Sequence, residues 1–183
     1  MMSKQALIVI DVQNDYFPVG KWELAGMDAA AANVGRLLRH ARQKDMPVVH
    51  IRHEFAGADA PFFAPGSPGA AIHPSAAPSE GEPVVLKHHI NSFRDTQLLS
   101  LLEGEHVEEV LICGAMSHMC VDACTRAAND FGFKVTVAHD ACASRDLEFN
   151  GVKVPAAHAH AAFMSALGFA YADMRSTDEL VMH

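Results

Sequence analysis

The stretch LICGAMSHMCVDACTRAAND, residues 111–130, holds three of the four cysteines in this 183-residue chain; the fourth is Cys142. A disulfide, a metal centre, a redox couple or a catalytic nucleophile would each explain such a grouping. Cysteines at 113, 120, 124 and 142 include no C-x-x-C pair, which argues against a zinc ribbon and a thioredoxin-type couple. Cys120 and Cys124 stand one helical turn apart, so a redox pair would need both thiols on one helix face. Cys120 has the better chemistry: it is expected in the first turn of a helix, where the local dipole favours thiolate. Two other segments supply partners. Asp11 follows the apolar run ALIVI, and Lys87 ends PVVLK. The lysine would favour thiolate, the aspartate would accept the thiol proton and return it to a leaving group, and amides of GAMSHMC would bind an oxyanion. Taken singly, these are a turn residue, a strand-end charge and a small helix residue. Arriving together at three strand ends, they point to one site, with Cys113, Cys124 and Cys142 left structural.

The elements that must position these residues are legible as short apolar runs: ALIVI (6–10), PVVHI (47–51), PVVLK (83–87), VLIC (110–113), KVTVA (134–138) and FAYADM (169–174). Most are continuously apolar, as strands buried on both faces should be. Helical patterns separate them: DAAAANVGRLLRHARQKD, TQLLSLLEG, HMCVDACTRAANDFG with Gly132 as its stop, and VPAAHAHAAFMSALG ending at Gly168. Alternation of this kind predicts an α/β fold, a three-layer doubly wound (Rossmann-like) sheet of about six parallel strands with helices on both faces. One domain over residues 1–183 is expected. The segment from His53 to Glu82 is rich in Pro, Gly and Ala and breaks the rhythm; loops of this length usually carry function. Phe62 and Phe63 within it are candidates to close over a ligand or to staple the loop to the core.

Half of the residues are hydrophobic, the net charge is −8 and the mean hydropathy is +0.07. The acidic balance excludes nucleic acid as the main partner, since phosphate binding needs a basic face. No apolar run reaches the roughly 20 residues of a membrane span, and the start MMSKQALIVIDVQND lacks the apolar segment of a signal peptide. A cytoplasmic protein acting on a small molecule is the expectation, without membrane partners.

Five stretches in this order, ALIVIDVQNDYF, VVHIRHEF, FAPGSPGAAIHP, VVLKHHINSFRDTQL and LICGAMSHMCVDACTRAANDFGFKVTVAHDACASRD, resemble the isochorismatase-like cysteine hydrolases over nearly the whole chain. The resemblance implies a catalytic triad of Asp11, Lys87 and Cys120. It also implies a cis peptide between Ala115 and Met116 and an oxyanion hole made by the amides of Met116 and Cys120. Gln13, Phe17, Phe62, Phe93 and His118 are the candidate substrate-binding residues, with Trp22 a further aromatic wall. Most of the family cleave amides, which implies hydrolysis of a small C–N substrate through a thioester-type intermediate. The alternatives are vinyl-ether hydrolysis of the isochorismatase type and a non-catalytic binding protein on the same scaffold. Nicotinamidases in the family hold a metal through an Asp-x-His pair after the second strand. Here HIRHEF puts His53 and Phe55 at those places, so no metal or other cofactor is expected, and His50, His53 and His73 are the one improvised set of ligands. A homo-oligomer, dimer or tetramer, is expected from the family and the Ala-rich C-terminal helix.

Overall fold

Strands that are apolar on both sides need a covering layer above and below. The computed structural model describes residues 4–57 and 59–182. Its strands are β1 (Gln5–Ile10), β2 (Val48–His53), β3 (Val84–Lys87), β4 (Glu109–Ala115), β5 (Lys134–Ala143), β6 (Leu147–Phe149), β7 (Val152–Val154) and β8 (Asp173–Arg175). Its helices are α1 (Met27–Gln43), α2 (Leu98–Gly104), α3 (Asp122–Asp130), α4 (Ala156–Ala170) and α5 (Thr177–Val181). Six strands form one parallel sheet in the order β3-β2-β1-β4-β5-β8.

The two-residue period of a strand divides the core into two layers. On β1, Leu7 and Val9 share a layer with Val34, Leu37 and Leu38 of α1, and Leu180 and Val181 of α5 pack against it. Ala6, Ile8 and Ile10 face the other way, into the layer of Leu98 and Leu102 (α2), Cys124 and Ala128 (α3), and Met164 and Leu167 (α4). Each buried Leu or Ile of this kind contributes about 1.5–3 kcal/mol. At the sheet edge, β3 alternates instead: Val84 and Leu86 are exposed while Val85 and Lys87 are buried. That alternation turns the Lys87 side chain inward.

Three sequence expectations need adjusting. Gly168 does not stop α4, which runs on to Ala170, so FAYADM begins with the last two residues of that helix and its strand is the short β8. β5 continues past KVTVA to Ala143. The β6–β7 hairpin was unanticipated, although its turn is Asn150–Gly151 with both residues at positive φ, the pattern of a two-residue hairpin loop.

The end of the long connection is clasped to β2 and α1. The Glu82 carboxylate takes two bonds from Arg42, both at 2.8 Å, one from the Ser79 amide at 2.8 Å, and lies 2.9 Å from Nε2 of buried His50. Arg42 first, then Ser79 and His50, outweigh burial and hold Glu82 down at about 2. A depressed carboxylate stabilises the fold fully above its unfolded pKa and loses that contribution as pH falls toward the folded value. Glu82→Gln should therefore cost about 1–2 kcal/mol at pH 7, with less than about half of that difference left at pH 3. Urea midpoints at the two pH values check this.

Candidate active site

In a doubly wound sheet the crevice opens where the strand order reverses, at the carboxyl ends of the strands. Here that point lies between β1 and β4. Asp11 leaves β1 with φ 50, and its amide donates to the Ile51 carbonyl at 3.0 Å. Lys87 stands at the end of β3, in register with His53 of β2, and its long side chain crosses the end of β2 toward Asp11. Its ammonium lies 2.8 Å from Oδ2 of Asp11, 3.2 Å from Sγ of Cys120 and 2.9 Å from Nδ1 of His53. Asp11 and Lys87 are fully buried and Cys120 is 3% exposed. A charge pair this deep persists only when its members are paired and hydrogen-bonded.

Cys120 is not in the first turn of α3. It lies in a wider π-type turn, Ser117–Val121, that leads into that helix. The amides of Met119 and Val121 donate to the Met116 carbonyl at 3.0 and 3.2 Å, and the Ala115–Met116 peptide is cis. Two serine–histidine contacts pin the turn. Ser117 Oγ donates to the Ala143 carbonyl at 3.1 Å and takes a bond from Nδ1 of His160 on α4, 2.8 Å away. His118 Nδ1 is 2.8 Å from Ser144 Oγ.

Burial first, and the Asp11 carboxylate second, push the Cys120 thiol up, while Lys87 pulls it the other way and does not prevail. Burial thus opposes the thiolate expected from a helix terminus and a cation. Burial pulls Lys87 down, but Asp11 and Cys120 more than reverse it, so the ammonium is retained. His53 is pushed to about 4 by burial and then by Lys87, so its ring is neutral near pH 7.

Cys120 lines a cavity of about 460 Å³, with Asp11 and Lys87 buried behind it. One wall is aromatic: Trp22 stacks on Phe62 with centroids 4.6 Å apart, Phe55 meets Phe62 edge-on, and Tyr16 lies beside them. Ile90, Met116 and Met119 add apolar surface; His53, His118, Arg145 and Glu148 add polar groups. The Arg145 guanidinium lies 4.0 Å over the Trp22 ring.

Of the residues singled out from sequence, Trp22, Phe62, His118, Met116 and Cys120 line this cavity; Asp11, Lys87, Gln13, Phe17 and Phe93 do not. Gln13 spends its amide on backbone, donating to the carbonyls of His53 and Ala70 and accepting from the His53 amide, each at 2.8 Å. Phe17 stacks on His73 at 3.6 Å, and Phe93 packs among Phe131 and Phe133 in the other core layer. The DVQND segment instead anchors the long loop: Asn14 donates to the Pro68 carbonyl, and Asp15 accepts from the Phe63 amide, both at 2.8 Å. Phe63 is fully buried, so it staples the loop while Phe62 faces the cavity. Tyr16, Phe55 and the β6 residues Leu147 and Glu148 line the cavity without having been anticipated. The Asn-Gly turn was the available signal for β6. His50, His53 and His73 do not converge: they engage Glu82, Lys87 and the Phe17–Ser75 pair respectively. These residues do not fit the metal site of nicotinamidases.

A family profile, Isochorismatase domain, matches residues 5–170. The isochorismatase family protein YddQ of Bacillus subtilis is 46% identical over 173 residues, covering 94% of this chain and 96% of that one. The maleamate amidohydrolase of Pseudomonas putida is 31% identical over 159 residues, 78% of this chain and 73% of its own. A crystal structure from Oleispira antarctica, assigned to the isochorismatase hydrolases, superposes with a TM-score of 0.96 at 57% identity, covering 100% of this chain and 98% of that one.

Proposed function

The chain belongs to the isochorismatase family of hydrolases, and from that premise we propose that it cleaves the C–N bond of a small amide through an acyl-thioester on Cys120. The observation that carries this reading is one buried ammonium, 2.8 Å from Asp11 and 3.2 Å from Cys120, behind a thiol that lines a largely apolar cavity. Similarity to an amidohydrolase supports the choice of an amide.

A protonated thiol needs a base at the moment of attack, and Asp11 is the carboxylate held beside it by the ammonium that touches both groups. As Sγ bonds to the carbonyl carbon, its proton passes to Asp11 and the carbonyl electron pair moves to oxygen. The amides of Met116 and Cys120 are the donors for that oxyanion, an interaction worth about 3 kcal/mol per donor in sites of this type. Collapse breaks the C–N bond, and the departing nitrogen takes the proton from Asp11. Water then gives a proton to Asp11 while its oxygen attacks the thioester carbon. The C–S bond breaks, the thiol regains its proton and the acid departs. Lys87 stays an ammonium and offsets the charge that builds on sulfur. Trp22, Phe55 and Phe62 face the apolar part of the substrate.

Acid-quenching the enzyme during turnover of a panel of small amides tests this. An acyl adduct on the Cys120 peptide, released by hydroxylamine, is the expected result. Turnover with no adduct would replace this mechanism with direct attack of water on the amide carbonyl. An inert panel would favour a binding protein on the same scaffold.

A further inference from the structure

Lys87 has three N–H bonds to give, and the third goes to an uncharged acceptor. His53 is 2% exposed and is the register partner of Lys87 across β2 and β3, so the two side chains stand on one face of the sheet. Its Nδ1 is 2.9 Å from the ammonium. An ammonium cannot accept a hydrogen bond, so Nδ1 accepts and the ring proton sits on Nε2, a buried atom with no hydrogen-bond partner among the described residues. Gln13 clamps the His53 backbone on both its amide and its carbonyl. Lys87 and His88, from β3 and the residue after it, and Asp11, beyond β1, are the charged and titratable groups that face the ring.

We propose that His53 is a positioning residue that acts through Lys87: a neutral third acceptor that fixes the ammonium's rotation toward Asp11 and Cys120 without cancelling its charge. The proposal rests on the reading of Cys120 as nucleophile. A carboxylate at this place would hold Nζ more tightly but neutralise the charge that favours thiolate. An apolar side chain would leave a buried N–H with no acceptor. Neutral imidazole avoids both. Its edge contact with Phe55, centroids 4.4 Å apart, offers the competing explanation that the ring merely packs.

The test is the rate at which iodoacetamide alkylates Cys120 at about pH 8, read by peptide mass spectrometry in the wild type, His53→Asn, His53→Asp and His53→Leu. Below the thiol pKa the rate follows the thiolate fraction, and one unit of pKa is about tenfold. Asn places Oδ1 close to where Nδ1 was and should stay within about threefold of wild type. Asp should be slower by about tenfold or more, and Leu by about three- to tenfold. A ring that only packs predicts the same rate for Leu as for Asn, whereas a third acceptor predicts Asn above Leu. Equal rates for these two overturn the proposal, and if the Leu variant fails to fold, an Asn rate more than about tenfold below wild type overturns it. The assay needs no substrate, so its failure is separate from failure of the nucleophile reading, which would show as turnover without a Cys120 adduct.

Discussion

Cys120→Ala should lower kcat by at least ~10⁴-fold, because a covalent route that loses its nucleophile keeps only binding and oxyanion stabilisation. The fold should survive. Cys120 is a small side chain in the second core layer, and truncating it to Ala costs about 1 kcal/mol. Asp11 and Lys87 remain paired at 2.8 Å in the variant, so no buried charge is orphaned, whereas replacing either of them would leave one. The cavity walls stay in place, so substrate should still bind; calorimetry with the inactive variant would measure that affinity directly. Activity within tenfold of wild type would refute the nucleophile assignment. Cys113 and Cys124 are fully buried and absent from the cavity lining, so their alanine variants should leave kcat within a few-fold of wild type.

The second large effect concerns stability. Gly114 lies in β4 opposite Ile10 of β1, with φ 120, and a Cβ there would overlap the Ile10 carbonyl oxygen and stand 2.7 Å from the Ile10 amide nitrogen. Both obstacles are backbone in the centre of the sheet and cannot step aside. Gly114→Ala should lower stability by about 3 kcal/mol or more, or abolish soluble expression, from overlap together with a disfavoured backbone angle. Gly132→Ala is the matched control. Its φ of 93 is also positive, but nothing lies within 4 Å of the added carbon, so only the conformational cost of about 1–2 kcal/mol applies. Equal urea midpoints for the two variants would show that the close approach of β1 and β4 is not what Gly114 serves. The strands part at this point, sending Asp11 one way and the Cys120 turn the other, so Gly114→Ala should also depress activity in any protein that folds.

Much of this architecture was legible in the residues. Continuous apolar runs alternating with helical patterns imply a covered parallel sheet, and a parallel sheet sends every strand's carboxyl end to one edge. Placing Asp11, Lys87 and Cys120 near one another therefore needed only the strand assignments. The boundaries that slipped, Gly168 and the start of β8, are local: one glycine costs a helix about 1 kcal/mol, which packing of Leu167 against the sheet readily outweighs. The hairpin had a written signal in Asn150–Gly151.

Side-chain direction was a different matter. Tyr16 and Phe17 are adjacent, and the sequence favoured Phe17 for the pocket. The 3₁₀ turn Asn14–Tyr16 points Tyr16 into the cavity and sends Phe17 onto His73. Gln13 has the composition of a substrate ligand, yet backbone of two other segments consumes its amide. His53, considered as a metal ligand, proved to be the neutral partner of Lys87. Sequence alone thus determined the fold class and which strand ends carry Asp11, Lys87 and Cys120, because periodicity and chain order are local properties. Tertiary structure alone decided which neighbouring side chains face the cavity and that burial pushes the Cys120 thiol up. Orientation and desolvation are set by everything packed around a group, and neither is encoded in its immediate neighbours along the chain.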